Sequence, residues 1–410
     1  MHVGIVLYGG LDELSGGYRY DRRLVSFLRA QGDTVDVIAL PWRTYPRHLV
    51  DSLSRQVRNR LDRPFDVLLQ DELCHPSLWR HNPTLDQPSV IVSLVHLLRS
   101  GGRWKPAPEW NGGVAGLASR VAESLSSRVP PLPSRVASLS NRVVSLSNPV
   151  ASLSTAVERR YLDSVDAVVC TSSHTEREVQ SLLGSAGSLP SLVAYPGGRI
   201  GGPAISREEV RQRAAQDPFR VIFVGNLVPR KGVLDLLDAL DGFDGEWEAA
   251  LVGSHEADPD YARAVVRRAA QLRGTVTIHG TVGDRQLQRL LARADVLAVP
   301  SSYEGFGMVY LEAMEYGVVP LASAAGGAGE FVEDGTNGFL VEPGDVEGLT
   351  SRLRQLRDDH DLRFELADGA LATAASHPDW LQSMGEVREF LVEQHERTTG
   401  QDTHTQRERE

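Results

Sequence analysis

Two short segments hold most of the chemistry this chain could perform. The first is GNLVPRKG, residues 225–232, at the end of the apolar run RVIFVG. Gly225 and Gly232 bracket a loop, and Arg230 and Lys231 stand side by side before a helix-like run. Two adjacent cations there suit a diphosphate, the arginine as a planar fork and the lysine as a point charge. Adjacent basic residues in a loop are usually just solvated. Here the count adds weight, because Lys105 and Lys231 are the only lysines among 43 basic residues. The second segment is SSYEGFGMVYLEAMEYG, residues 301–317. Glu304 precedes Gly305, Phe306 and Gly307, and the glycines permit close backbone approach. A helix is predicted from near Gly307, and its bare N–H groups favour an anion. Glu312 falls about five residues into it, roughly 7–8 Å along the axis. One carboxylate before an anion site and one after it can accept from hydroxyls on both sides of a diphosphate. Taken alone, Glu312 would read as an ordinary solvated helix residue.

These residues need elements to position them. In the first half, HVGIVLY, TVDVIALP, FDVLLQD, SVIVSLVH and AVVCTS read as strands. RYDRRLVSFLRAQG and SSHTEREVQSLLG read as helices, one stopped by glycine and one opened by a serine cap. Strands apolar nearly throughout, alternating with helices, predict a parallel sheet covered on both faces. PGGRIGGP, residues 196–203, reads as a linker. The pattern then restarts as a second doubly wound unit, with both chemical segments at the carboxyl ends of its strands, where such sheets bind ligands. The expected division is 1–196, 197–375, a terminal helix at 376–394 packing back on the first unit, and a disordered tail at 395–410.

Two stretches read ambiguously. Arg43, Arg47, Arg55, Arg58, Arg60 and Arg63 surround Leu49, Leu53, Val57 and Leu61, which repeat every four residues like one helical stripe. Such a helix can pack on its own sheet with a solvated basic face, the commoner case, or lie on an anionic membrane. Residues 117–157, within an insertion at about 110–157, repeat nearly every seven residues with Val and Leu at a/d-like spacing. Ser, Asn and four prolines dilute that pattern, which favours a low-complexity insertion over a helical hairpin.

Composition excludes much else. At 410 residues the chain exceeds the roughly 250–300 at which a single core stops growing, so at least two domains are expected. A net charge of −11 argues against general nucleic-acid binding. The charge is uneven: residues 1–195 carry +3 and residues 196–410 carry −14. Cys74 and Cys170 sit in apolar strand-like runs, are too few for a metal cluster, and read as buried thiols. The Asp-x-Asp at 258–260, DPD, reads as a helix start, so no metal site is expected. The N-terminus lacks signal-peptide features and no apolar run nears 18 residues, so a cytoplasmic location is expected.

Glu304-Gly-Phe-Gly with Glu312 resembles the Glu-x7-Glu signature of retaining glycosyltransferases of family 4 (glycosyl transferases group 1). GNLVPRKG resembles that family's diphosphate loop. Residues 326–341, the YPGG linker, VVCTSSHT and the WLQSMGEVREFL end are similar as well. The resemblance implies a GT-B fold, two Rossmann-like domains facing a cleft. It implies a nucleotide-diphosphate sugar as donor substrate, no permanent cofactor or metal, and a glycan or lipid-linked acceptor, with the enzyme cytoplasmic or peripheral on the membrane. By resemblance Arg230 and Lys231 bind the donor diphosphate, and Glu312 takes the ribose hydroxyls. Glu304 and the Phe306–Val309 amides face the sugar and phosphate. Gly16 and Gly17 form the glycine loop of the other domain, and His96 lies near the donor sugar. Two departures stand out: Gly197-Gly198-Arg199-Ile200 replaces the usual Asn-Gly-Val-Asp, and Gly326-Gly-Ala-Gly-Glu330 lacks the family's proline. A sugar-nucleotide epimerase and a non-catalytic scaffold are the competing readings. A phosphorylase is disfavoured by the scarcity of lysine for a pyridoxal, and a dehydrogenase because no G-x-G-x-x-G follows a strand.

Overall fold

The structure, a computed structural model, describes residues 1–13, 15–100, 149–184, 189–243 and 245–407. Its first sheet is built from β1 (His2–Tyr8), β2 (Thr34–Leu40), β3 (Val67–Asp71), β4 (Ile91–Val95), β5 (Ala167–Cys170) and β6 (Ser191–Val193). Around it lie α1 (Gly16–Ala30), α2 (Tyr45–Asp51), α3 (Arg55–Leu61), α4 (His75–Leu78), α5 (Pro149–Leu162) and α6 (Ser173–Leu183). The second unit opens with α7 (Arg207–Ala214), β7 (Phe219–Val224), α8 (Val233–Asp241), β8 (Trp247–Val252), α9 (Pro259–Ala269) and β9 (Thr275–Gly280). It continues through α10 (Asp284–Leu291), β10 (Val296–Val299), α11 (Met308–Met314), β11 (Val319–Ser323) and β12 (Phe339–Val341). Three helices close the chain: α12 (Val346–Asp358), α13 (His360–Ser376) and α14 (Trp380–Arg407).

Both sheets have six strands, ordered β2-β1-β3-β4-β5-β6 and β12-β11-β10-β7-β8-β9, and all pair in parallel. Alternate residues of β1 feed opposite layers: Val3, Ile5 and Leu7 on one face, Val6 and Tyr8 on the other. The strand order reverses between β1 and β3 in one sheet and between β7 and β10 in the other. A crevice opens where connections leave in opposite directions, so the residues after those four strands are the ones placed to meet a ligand.

Helix α14 belongs spatially to the first sheet. Met384, Val387 and Leu391 enter the core beside Leu24 and Leu28, and Arg388 pairs with Asp33 at 2.7 Å. Pro378 lies in the gap before it, and Trp380 Nε1 donates to the Gly198 carbonyl at 2.7 Å. The backbone stays helical to Arg407, which corrects the disordered tail expected from residue 395. His395, 3.8 Å from Asp66, and the Arg397–Glu393 pair extend the helix without an apolar stripe.

The single arginine-rich helix is also corrected. Ser54 caps α3 by accepting from the Val57 N–H, and a break separates it from α2. Val57 and Leu61 are buried, but Leu53 is 64% exposed, so the four-residue stripe never forms one face. Of the expected insertion, residues 149–157 are helical within α5, and Val157, Tyr161 and Leu162 enter the core. Residues 110–148, with most of the repeat, lie outside the described residues, as does Lys105. Cys74 sits in a 3-10 turn, not a strand; it and Cys170 are free and buried.

Candidate active site

The diphosphate-loop residues follow β7, at the reversal point of the second sheet. Residues 229–231 make one 3-10 turn, and Gly232 takes φ +67° to start α8. A Cβ at Gly232 would collide with the Pro300 carbonyl, so the loop is pressed against the end of β10. That contact brings Lys231 to Glu304. Lys231 Nζ donates to Glu304 Oε1 at 2.5 Å, and Ser301 Oγ donates to the same oxygen at 2.5 Å. Arg230 donates to the Tyr303 carbonyl at 2.7 Å and lies 3.4 Å from Glu304. Glu304 is only 8% exposed. Burial opposes its charge, yet Lys231 and Arg230 outweigh it and hold the carboxyl at about 2. Burial in turn lowers the Lys231 ammonium, against the pull of Glu304. Two cations face one carboxylate, so the cluster keeps one positive charge for an anionic ligand.

Backbone geometry sets Glu304 in place. The chain at Glu304 bridges to Gly326, whose φ is +120°, and a Cβ at Gly326 would strike the Glu304 backbone. The glycine pair at 326–327 is therefore required by close packing. Gly307, at φ +90°, caps α11, which is seven residues long. The Phe306 ring packs on Phe331 with ring centroids 4.7 Å apart, so only its backbone is available to a ligand.

Residues of the first unit close over this cluster. Gly16 abuts Met308, and Gly17 lies against the His96 ring. Gly305 meets the His96 carbonyl so closely that a Cβ there would clash. Ser172 Oγ donates to the Gly305 carbonyl at 2.8 Å, and the amides of Ser173 and His174 donate to Glu330 at 2.9 and 2.5 Å. The structure thus brings together Gly16, Gly17, His96, Gly225, Arg230, Lys231, Gly305, Met308 and Glu304. Val309 is partly buried on the adjacent turn.

Glu312 departs from the sequence reading of a free carboxylate. It is 3% exposed and bound by two guanidinium groups: Arg199 at 2.8 Å and Arg19, from α1, on its other oxygen. Arg199 also pairs with Asp284 at 2.5 Å. Neither arginine was singled out as a site residue from sequence. Arg19 lies two residues after Gly17, and Arg199 is the departure in the linker, so each had a local signal. Asp21, Glu72 and Glu330 were missed as well. Asp258 accepts from the Tyr261 N–H and caps α9, as the DPD reading expects. Among the described residues, Asp21, Asp71 and His96 are the metal-capable group, with ligand atoms within 4.8 Å. A His96 nitrogen already engages Asp21 there, and Glu72 beside them is spent on backbone amides.

Comparison with known proteins now adds to this geometry. Residues 205–371 match the family model described as glycosyl transferases group 1. A glycogen synthase of Mycobacterium tuberculosis is 30% identical over 227 residues, 55% of this chain and 53% of its own. A GDP-mannose-dependent alpha-(1-6)-phosphatidylinositol monomannoside mannosyltransferase of the same species is 31% identical over 241 residues, covering 55% of this chain and 60% of that one. The chain spans about half the length of the curated relatives it matches. Sucrose-phosphate synthase from Thermosynechococcus elongatus superposes with a TM-score of 0.70 at 18% identity, over 95% of this chain and 98% of that one. Anabaena HepE in complex with UDP-glucose gives 0.66 at 20% identity, over 96% and 100%. The chain therefore carries a glycosyl transferases group 1 domain, and its two six-stranded parallel sheets form a GT-B fold.

Proposed function

We propose that the protein is a retaining glycosyltransferase that moves a sugar from a nucleotide-diphosphate sugar to a glycan or lipid-linked acceptor. The observation that carries this reading is the net-positive cluster of Arg230, Lys231 and Glu304 at the reversal point of the second sheet, with His96 and the Gly16–Gly17 start of α1, helical and not the expected loop, closed over it. The donor diphosphate shares Arg230 and Lys231 with Glu304. As the bond from C1 to the phosphate oxygen breaks, negative charge grows on the leaving diphosphate, and those fixed cations stabilise it. The acceptor oxygen attacks C1 from the same face, and its proton passes to the departing phosphate oxygen. Glu312 takes the ribose hydroxyls, with Arg19 and Arg199 setting its orientation. The structure of Anabaena HepE contains UDP-glucose, which supports a sugar nucleotide of that class.

The test is release of nucleotide diphosphate from labelled UDP-, GDP- and ADP-sugars, with and without membrane extract. Acceptor-dependent release that drops by about 10²–10³ in a Lys231→Met variant supports the reading. Release unchanged by that substitution sinks the site. Conversion of the donor to an epimer without acceptor selects the epimerase reading, and binding without turnover selects the scaffold.

Peripheral contact with an anionic membrane belongs to the same proposal, on a surface that keeps Leu53 of the expected stripe and adds Trp42 and Val50. Trp42 is 48% exposed and Val50 and Leu53 are each 64% exposed, among the exposed side chains of Arg43, Arg47 and Arg55. Exposed apolar side chains ringed by arginines suit an interface rich in anionic lipid. No helix among the described residues is long and apolar enough to cross a membrane. Flotation with anionic liposomes should fall several-fold when Trp42 and Leu53 become serine; unchanged flotation removes the membrane from the proposal.

A further inference from the structure

His96 stands inside an acidic, buried nest that donor binding alone does not explain. Asp21, on α1 and fully buried, lies 3.1 Å from His96 Nε2 through Oδ1. Glu72, just past β3, accepts from the His96 and Leu97 amides at 3.0 and 3.2 Å. Asp71 is 1% exposed beside it. The second oxygens of Asp21 and Asp71 have no hydrogen-bond partner among the described residues. Tyr20 meets the His96 ring edge-on at 5.3 Å, and Gly17 covers one side. Thr171 Oγ1, past β5, lies 3.5 Å from the His96 carbonyl. Three buried carboxylates in one nest demand a compensating positive charge, because unpaired buried charge is strongly destabilising. Among the described residues the imidazole is the one cation-forming side chain in hydrogen-bond contact with them.

We infer that Asp21 is a positioning residue for sugar transfer, holding His96 as an imidazolium whose Nδ1–H is turned over to the donor sugar. The inference rests on the donor-site reading above. With Nε2–H committed to Asp21, the ring's protonation decides what Nδ1 does. A neutral ring would offer Nδ1 as an acceptor and could take a proton from the acceptor hydroxyl. A charged ring can only donate, so it holds a sugar hydroxyl or developing negative charge. His96 is therefore a hydrogen-bond donor to the reacting sugar and not its general base, which agrees with same-face transfer. The electrostatics concur: burial works against the imidazolium, but Asp21, then Glu72 and Asp71, outweigh it and raise His96 to about 10. Burial raises Glu72 to about 7 against the pull of His96, and burial with Glu72 and Asp21 pushes Asp71 up, so a carboxyl of the nest also retains a proton.

Two measurements on the full chain test this. NMR titration of labelled histidine should find His96 protonated above pH 8 in the wild type. In Asp21→Asn its midpoint should fall by roughly 1–3 pH units. The pH–rate profile of nucleotide diphosphate release should be flat through the ordinary histidine range, about pH 6 to 8, in the wild type. In D21N, kcat should drop at least tenfold at pH 8.5 and recover towards pH 6, with the donor KM little changed. A variant that is merely misfolded would not recover on acidification. A wild-type His96 that titrates near its ordinary value, or a D21N profile parallel to the wild type, overturns the inference. The titration needs neither turnover nor a variant, so a wild type inactive on every nucleotide sugar sinks the donor-site reading while the titration still decides the charge on His96.

Discussion

Glu304 is a buried carboxylate kept ionised by Lys231, Arg230 and a serine hydroxyl. Its pKa is depressed from 4.5 to about 2. A depressed carboxyl contributes stability that is present above its unfolded value and is lost as pH falls through the folded one. Glu304→Gln should therefore lower unfolding stability at pH 7 by about 3 kcal/mol. The gap to wild type should close between about pH 4.5 and pH 2, as followed by urea denaturation across pH. Lys231→Arg tests the scarce lysine itself. A guanidinium is bulkier and planar, and the buried Nζ sits where its stem packs on Gly225. We expect donor turnover to fall at least tenfold with binding of free nucleotide retained; equal turnover would show that any cation serves. Glu304, Arg230 and Lys231 were legible in sequence because glycines flank them at fixed spacing. Arg199 was visible only as an oddity of the linker. Asp21 and Glu72 were illegible, because each reaches His96 across 75 and 24 residues of chain.

Helices were legible where caps and apolar spacing agreed, and misread where only one was present. The run from Leu49 to Leu61 satisfied the spacing, but Ser54 offered its oxygen to an amide and started a new helix. A cap contributes about 1 kcal/mol, and no apolar contact at Leu53 opposes the break. The tail erred the other way: it lacks apolar periodicity, yet α14 carries its helix onward from an anchored segment. Propagating a helix adds one hydrogen bond per residue fixed, whereas nucleating one is costly. Leu391→Ala should thus destabilise the first unit by about 2–5 kcal/mol, measured by thermal or urea unfolding. A change below 0.5 kcal/mol would show that α14 does not need its apolar anchor.

The two units meet through polar contacts. Glu330 accepts from the first amides of α6, Ser172 donates to Gly305, Tyr303 donates to Glu178, and Arg19 reaches Glu312. A carboxylate at a helix N-terminus is favoured by the exposed N–H groups and the helix dipole. Hydrogen bonds to a charged group contribute about 1.5–3 kcal/mol each. Glu330→Ala should therefore loosen the closed arrangement: a larger radius of gyration by small-angle scattering and a donor KM raised about 10–100-fold. An unchanged radius and KM would show that α6 and Glu330 merely touch.

By itself the sequence determined the two parallel α/β units, and it pointed to the strand ends and to Glu304, Arg230 and Lys231 as the proposed site. These are local properties: side-chain period, glycine spacing and charge beside a helix start need only a few neighbouring residues. Only the tertiary structure decided which charges meet. It placed Arg19 on Glu312 across 293 residues, Lys231 on Glu304 across 73, and Asp21 on His96 across 75. Arg19 meets Glu312 because the two sheets bring their carboxyl edges together and exclude water between them, whereas the other two pairs form within one unit, whose topology gathers distant segments at the same end. Within that space a carboxylate ordinary in sequence must find a cation or keep a proton.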